Sequence, residues 1–419
     1  MNFKHMKEIE LTDCRVCGGS NLAPFLSLGQ MPAINEFPKN EEDIKKEQLF
    51  PLEVAFCNDC THVQLTVALD PEETFSDYIY FSSTSRTFVE HGKWLAEEIK
   101  KRLGLTADDL VAEVASNDGA ILKSFKALPT RVLGIEPAKN IAKVAEAAGI
   151  PTIAEFFGAT EAEKILKEHG PAKVIIGTNV LAHAFNLRDF VRGLKILLKD
   201  GGTILIEVPY LADLLAKNEF DTIYHEHISY FSAYSLQKLF GLDGLELYNI
   251  DYLPHIHGGS LLLSAGHEGG PNKIVASVAE FLAKEKETGL QDFKTYKEFA
   301  LRVESVKKEI WDFLSEIKKS GKTIAAYGAA AKGNVLLQYC GIGPEILPFV
   351  ADKSPYKQGR FTPGTHIPVV APAYISEARP DYLVILAWNF AKEIMEDMDA
   401  YAKAGGKFVV FLPEPKILN

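Results

Sequence analysis

From residue 110 onward, apolar runs of strand length alternate with segments whose apolar residues recur every three or four positions. "DLVAEVAS", "RVLGIEP", "AKVIIGTNV" and "TILIEVPY" read as strands. "GAILKSFKAL", "AKNIAKVAEAAG" and "LRDFVRGLKILLKDGG" read as the helices between them. Apolar strands separated by helix-length segments predict a parallel sheet covered on both faces. "LELYNIDYLP" and "GGSLLLSAGH" then read as paired strands that close the sheet. Residues 272–320 are mostly charged helix and read as a connector. The alternation restarts in "KTIAAYGA", "AKGNVLLQYCG", "LPFVADKSP", "PDYLVILAW" and "KFVVFLPEP".

Residues 1–75 follow neither period and read as a small, irregular, turn-rich module. After it, "YIYFSSTSRTFVEHGKWLAEEIKKRLG" is a loop running into an amphipathic helix. The expected organisation is a module at 1–75, an α/β domain at 76–271, and the helical connector plus a second α/β domain at 272–419. The length of 419 residues agrees, since it exceeds what one core can serve.

Composition sharpens this picture. The 47% apolar and 24% charged residues are those of a soluble globular protein. A net charge of -11 argues against non-specific nucleic-acid binding, which needs clustered Lys and Arg. The first residues contain no apolar signal-peptide core, and no apolar run reaches membrane-spanning length. A cytoplasmic protein with neither nucleic acid nor membrane as partner is therefore expected. Its oligomeric state stays open, a monomer being admissible.

Four of the five cysteines form two pairs, Cys14-x-x-Cys17 and Cys57-x-x-Cys60. In a reducing compartment disulfides are disfavoured, and four thiolates in two knuckles suit a tetrahedral Zn²⁺. Such a closed shell leaves no coordination position for catalysis, so the zinc is expected to be structural. The spacing between the pairs exceeds that of an ordinary zinc ribbon, which implies an insertion. Cys340 has no partner and reads as a core residue.

"LVAEVASNDGAILKSF" places an acid at a strand end, then a small-residue turn, then a helix. Glu113, Ala115, Asn117, Asp118 and Gly119 make the turn, and Glu136 ends the next strand where an acid can grip a ribose diol. The turn lacks the full G-x-G-x-x-G spacing of dinucleotide folds. Two carboxyl groups there oppose a pyrophosphate and favour a cation. S-adenosylmethionine, with a sulfonium and an ammonium and no phosphate, fits. Asn179, after the third strand, completes the expected cofactor set.

The turn resembles the E-x-G-S-N-D-G loop of bacterial deoxysugar C-methyltransferases, with Ala115 where that family has Gly. The resemblance extends to the cysteine pairs, "YIYFSSTS", "YHEHISYFSAYSL", "HGGS", "GAAAKGN", "DKSPYKQGRFTPGTHIP" and "LAWNF". That family methylates C-3 of TDP-linked 4-keto sugars, as in tetronitrose biosynthesis. The resemblance implies a zinc-binding module, a class I (Rossmann-like) methyltransferase domain, and a Rossmann-like C-terminal domain that helps hold the sugar nucleotide.

The segment "DTIYHEHISYFS" crowds Tyr224, His225, Glu226, His227 and Tyr230 into seven positions. Methylating carbon requires a carbanion, hence a base beside a carbonyl and a donor to the developing oxyanion. A neutral imidazole suits the base near pH 7. The resemblance maps His227 onto the family's proposed base, and Glu226, Tyr224, Tyr80 and His183 onto further active-site positions. Glu226 would orient His227 or stabilise charge. Two competing readings are a metal site at His225 and His227, and a solvated surface loop. His225 is also readable as structural, and His257 in "HIHGGS" reads as a turn residue outside the catalytic set.

In the C-terminal domain, "TIAAYGAAAKGNVLL" is strand, turn and helix, but not a Walker A loop. Asp352 stands where an acid binds ribose in a dinucleotide fold, which makes an NAD(P)-dependent sugar-nucleotide oxidoreductase the main rival. A non-catalytic zinc-ribbon scaffold is the other. The family reading assigns the region to the nucleotide-linked keto-sugar, with Lys332, Asn334, Ser354, Lys357, Arg360 and Asn389 as contacts.

Overall fold

The computed structural model describes residues 6–76, 78, 81–256 and 258–418. Its central sheet has seven strands in the order Leu245–Leu253, Ser260–His267, Leu198–Pro209, Ala172–Thr178, Leu110–Val114, Arg131–Ile135 and Thr152–Ile153. The five strands from Leu198–Pro209 to Thr152–Ile153 are parallel. The expected pair 245–253 and 260–267 adds antiparallel strands to one edge. Leu110–Val114 is buried along its whole length because helices cover both faces.

The chain first winds outward from Leu110–Val114 through Arg131–Ile135 to Thr152–Ile153. It then crosses to Ala172–Thr178 on the other side. The winding reverses between Leu110–Val114 and Ala172–Thr178, and ligands of open α/β sheets bind at the carboxyl ends of strands at such a reversal. Both the Asn117-Asp118-Gly119 turn and Asn179 fall there.

The N-terminal module is a sheet of Leu22–Met31, Phe50–Cys57 and Val63–Leu65. Its fourth strand, Ser229–Tyr230, comes from the histidine-rich segment and pairs antiparallel with Val63 and Gln64. The module shares one core with the helix Phe293–Lys319 and the C-terminal domain. The Tyr296 ring lies 5.1 Å from Phe25 and 4.8 Å from Phe56. The segment read as a connector therefore does more than join domains. Phe299, Val303, Val306, Ile310 and Leu314 are all buried, at the three- and four-residue spacing of one helix face.

The C-terminal sheet has the order Val369–Val370, Val350–Ala351, Ile324–Tyr327, Tyr382–Ile385, Lys407–Val410 and Lys416–Leu418. The first five are parallel and the last is antiparallel.

Helix Leu187–Leu197 crosses the start of helix Ala159–His169 at Gly193, where an added Cβ would lie 2.8 Å from the Gly158 backbone. Backbone cannot yield as a flexible side chain can. Gly193→Ala should cost about 1–3 kcal/mol and lower the thermal midpoint by several degrees. Gly241, at an exposed helix end with nothing within 4 Å of an added Cβ, is the control. Gly241→Ala should be neutral or stabilise by about 0.5 kcal/mol in the same melts.

Candidate active site

The four expected zinc ligands meet. The Sγ atoms of Cys14, Cys17, Cys57 and Cys60 all lie within 4.8 Å of one another. Cys14 and Cys60 are 3.4 Å apart and Cys17 and Cys57 3.7 Å apart. A tetrahedral ion with Zn–S bonds of about 2.3 Å separates its sulfurs by about 3.8 Å, so the shell fits zinc. Among the described residues this is the one group that could hold a metal ion. Arg15, between the first two ligands, is half-buried, and its Nη2 donates to the carbonyls of Ala184 and Phe185. Those carbonyls immediately follow His183, so the knuckle is braced against an expected active-site loop.

At the sheet reversal, Ala115, Asn117 and Asn179 have φ of 54°, 50° and 56°. This left-handed region favours Gly, and Ala115 occupies it where the resembling family has Gly. Glu136 braces the turn: Oε2 accepts from the Asn117 N–H at 2.9 Å and Oε1 from the Ala138 N–H at 2.9 Å. Each oxygen keeps a second lone pair for a ligand hydroxyl.

Glu113 is fully buried and its Oε2 has no partner. Burial, then the charges of Glu136 and Asp118, push its carboxyl well above the usual range. Oδ1 of Asp118 and Oδ1 of Asn179 are also buried without partners. Carboxylates left with uncompensated lone pairs around a tight turn fit a ligand that carries positive charge and N–H donors. The N–H groups of Ser82 and Ser83 donate to Asn117 Oδ1 and Asp118 Oδ2, at 2.9 Å and 3.3 Å. The segment 81–85 thus closes over the turn.

The histidine-rich segment is interior: every residue from Phe220 to Ala233 is buried. This overturns the solvated-loop alternative. His227 Nδ1 lies 2.9 Å from the Thr222 carbonyl, which can only accept, so Nδ1 carries the proton. The other nitrogen, Nε2, is then the basic one, and it accepts from the Tyr224 hydroxyl at 2.7 Å. The His183 ring stands 4.8 Å from that of His227 at 70°. Its Nδ1 is buried without a partner, and burial lowers its pKa to about 4, which keeps it neutral.

Glu226 takes a different direction from the one expected. The Thr222 carbonyl, not this carboxylate, orients His227. Glu226 accepts instead from Asn35 Nδ2 at 2.6 Å and from the Tyr78 hydroxyl at 2.8 Å. His225 contacts the Pro51 carbonyl at 3.2 Å and packs edge-on against Phe50. It is structural, and among the described residues it belongs to no group that could hold a metal ion. Tyr80 and His257 lie outside the described residues.

Sequence reasoning missed Asn35, Tyr78 and Thr222, and also the buried pair of His91 and Glu207 at 2.6 Å. The Asn179 amide hydrogen bonds to the Glu207 carbonyl at 2.8 Å, so this pair underlies an expected cofactor residue. Thr222 acts through its backbone, and no side-chain signal could have revealed it.

The expected C-terminal contacts divide. Lys332 holds its ammonium 4.6 Å from the Trp388 ring centroid, and Asn389 is half-buried next to that tryptophan. Lys357 donates to the Ala329 carbonyl at 2.8 Å, and the Ser354 N–H donates to Asp352 Oδ1 at 2.8 Å. Arg360 is half-buried in the same loop. Asn334 is corrected: it is fully buried and donates to the Ile34 carbonyl at 3.2 Å, bridging to the N-terminal module instead of facing a ligand.

Comparison with known proteins agrees with this geometry. Residues 14–75 match a family described as "Putative zinc binding domain", 90–250 a methyltransferase domain, and 255–413 a C-methyltransferase C-terminal domain. The C-methyltransferase NovU of Streptomyces niveus is 37% identical over 409 residues, spanning 98% of this chain and 97% of that protein. The chain belongs to the S-adenosylmethionine-dependent C-methyltransferase family.

The C-methyltransferase is thus an enzyme that uses S-adenosylmethionine and binds zinc through its cysteine quartet. Both the oxidoreductase and the scaffold alternatives fall. Its class I domain is also similar to two solved structures. One is a SAM-dependent methyltransferase from Anabaena variabilis (16% identity, 42% of this chain and 84% of that one, TM-score 0.34). The other is the magnesium protoporphyrin IX methyltransferase of Synechocystis PCC 6803 with bound SAM (10% identity, 42% and 78%, TM-score 0.32). Among its described residues no helix is long and apolar enough to cross a membrane.

Removing one ligand tests the zinc shell of the methyltransferase. Cys60→Ala should lower bound zinc, measured by plasma mass spectrometry, from about one per chain to near none. The thermal midpoint should fall with it, since metal binding contributes directly to folding.

Proposed function

We propose that the enzyme methylates C-3 of a TDP-linked 4-keto-deoxysugar through a base-generated enolate. The observation that carries this reading is the buried line from the Thr222 carbonyl through His227 to the Tyr224 hydroxyl. It leaves one imidazole nitrogen basic and places a phenol donor beside it. Once the Tyr224 hydroxyl turns from His227 Nε2 to the substrate's 4-oxygen, that nitrogen takes the C-3 proton and the electron pair moves onto the oxygen. Tyr224 is the hydrogen-bond donor for that oxygen, with His183 and Tyr80 as further pocket residues.

S-adenosylmethionine, when bound, would supply an activated methyl group for the enolate carbon. Glu113, Ala115, Asn117, Asp118, Gly119, Glu136 and Asn179 would hold that cofactor, the unpartnered oxygens of Glu113 and Asp118 suiting its cationic groups. Lys332, Ser354, Lys357, Arg360 and Asn389 remain the candidates for the nucleotide. The assignment of methyl transfer to carbon also draws support from the NovU relative, itself named a C-methyltransferase. The chain is organised as residues 1–75, 76–271 and 272–419 around this cleft. Thiols held free for a metal suit a reducing, cytoplasmic setting.

Incubation of the enzyme with candidate TDP-4-keto-deoxysugars and methyl donor should yield a product heavier by one methyl in mass spectrometry. His227→Asn should lower turnover by about 10²–10⁴-fold while cofactor affinity is little changed. Retained turnover would remove His227 from the mechanism.

The raised Glu113 pKa adds a second expectation. A cation settling beside this group favours its ionised form, so binding should release a proton and affinity should rise with pH. Calorimetry in buffers of different ionisation enthalpy reads this release directly, and Glu113→Gln should abolish it.

A further inference from the structure

The N-terminal module reaches the Glu226 carboxylate with the side chain of Asn35. Asn35 lies in the turn "MPAINEFP", and its Nδ2 donates to Glu226 Oε1 at 2.6 Å across 191 positions of sequence. The Tyr78 hydroxyl donates to Oε2 at 2.8 Å. We propose that Asn35, together with Tyr78, is a positioning residue that fixes the Glu226 carboxylate for the reaction. This rests on the reading of Glu226 as part of the sugar pocket.

One donor on each oxygen sets both the position and the plane of the carboxylate. The lone pairs left over are then aimed, and they suit a hydroxyl donor on the substrate. A small cleft lies against this pair, walled by Ile34, Asn35, Glu36, Tyr78, His225 and Glu226. Glu226 is only 6% exposed, so bulk water does little to solvate it. Burial raises its pKa, as does the neighbouring Glu36, and the two donors oppose that rise.

Asn35 is itself held from behind. The carbonyl of Ile34 accepts from the buried Asn334 amide of the C-terminal domain. One line of hydrogen bonds therefore runs from Asn334 through the turn to Glu226, drawing on three distant parts of the chain. It gives Asn334 a place in the machinery without contact to any ligand.

The test is a double-mutant cycle of Asn35→Ala and Glu226→Gln in the zinc-loaded full chain. Turnover and KM for a TDP-4-keto-deoxysugar, S-adenosylmethionine affinity, zinc content and thermal midpoint are all measured. Asn35→Ala should lower kcat on the order of tenfold to a hundredfold, with cofactor affinity and zinc content unchanged. It should lower kcat little further when Glu226 is already Gln. Asn35→Asp, which sets a second carboxylate against the first, should be slower than Asn35→Ala. Additive effects on kcat, or unchanged kcat in Asn35→Ala, would overturn the proposal.

If Asn35→Ala fails to fold, Tyr78→Phe, which removes a single hydroxyl, takes its place in the same cycle with the same criteria. A wild-type enzyme inactive on every such sugar would sink the functional reading alone. The cycle is then read on the thermal midpoint, where coupling between positions 35 and 226 supports the contact and its absence overturns it.

Discussion

Two backbone pairings hold the histidine-rich segment in register. Ser229 and Tyr230 add to the sheet of the N-terminal module opposite Gln64 and Val63, and the Ile228 carbonyl accepts from the Leu65 amide at 3.0 Å. On the other side the Ile228 amide donates to the Ala182 carbonyl at 2.8 Å, beside His183. The segment thus bridges the zinc module and the sheet-reversal loop. His62, neutral because burial lowers its pKa to about 3, adds a contact to the Ser229 hydroxyl at 3.2 Å. A strand register fixes which side chains share a face. Glu226 and His227, just upstream of the paired residues, inherit their directions from it.

Electrostatics complement this framework. The cofactor turn collects Glu113, Asp118 and Glu136 in a buried place, which no stable apolar core would favour without a compensating ligand. Burial keeps His183 and His225 neutral, so that each donates or accepts as its tautomer dictates. Metal, cofactor turn and pocket are three polar clusters, each of which would cost stability if left bare. Shared apolar cores surround them.

Much of this was legible in the residues alone. The strand and helix periods of residues 110–267 reproduce the observed sheet, because those elements are long and buried on predictable faces. The cysteine knuckles and the Asn-Asp-Gly turn were also legible, since each is a local pattern with its own chemistry. What escaped was non-local. A two-residue strand such as Ser229–Tyr230 has no measurable alternation. The Thr222 carbonyl is common to every residue type. Asn35 sits in a turn where Asn is expected for backbone reasons, which hid its side-chain role. Asn334 was misread because a helix start beside a small-residue turn looks like a ligand site, while its burial depends on a partner 300 positions away.

The Arg15 bridge has a consequence for how such chains can be recombined. Arg15 belongs to the metal knuckle, yet its guanidinium secures carbonyls of the loop carrying His183. Segments that look like interchangeable beads therefore do not each own a function. A chimera joining the first part of one relative to the remainder of another inherits a mixed catalytic centre. The unit that must be exchanged intact is the knuckle together with the loop it grips.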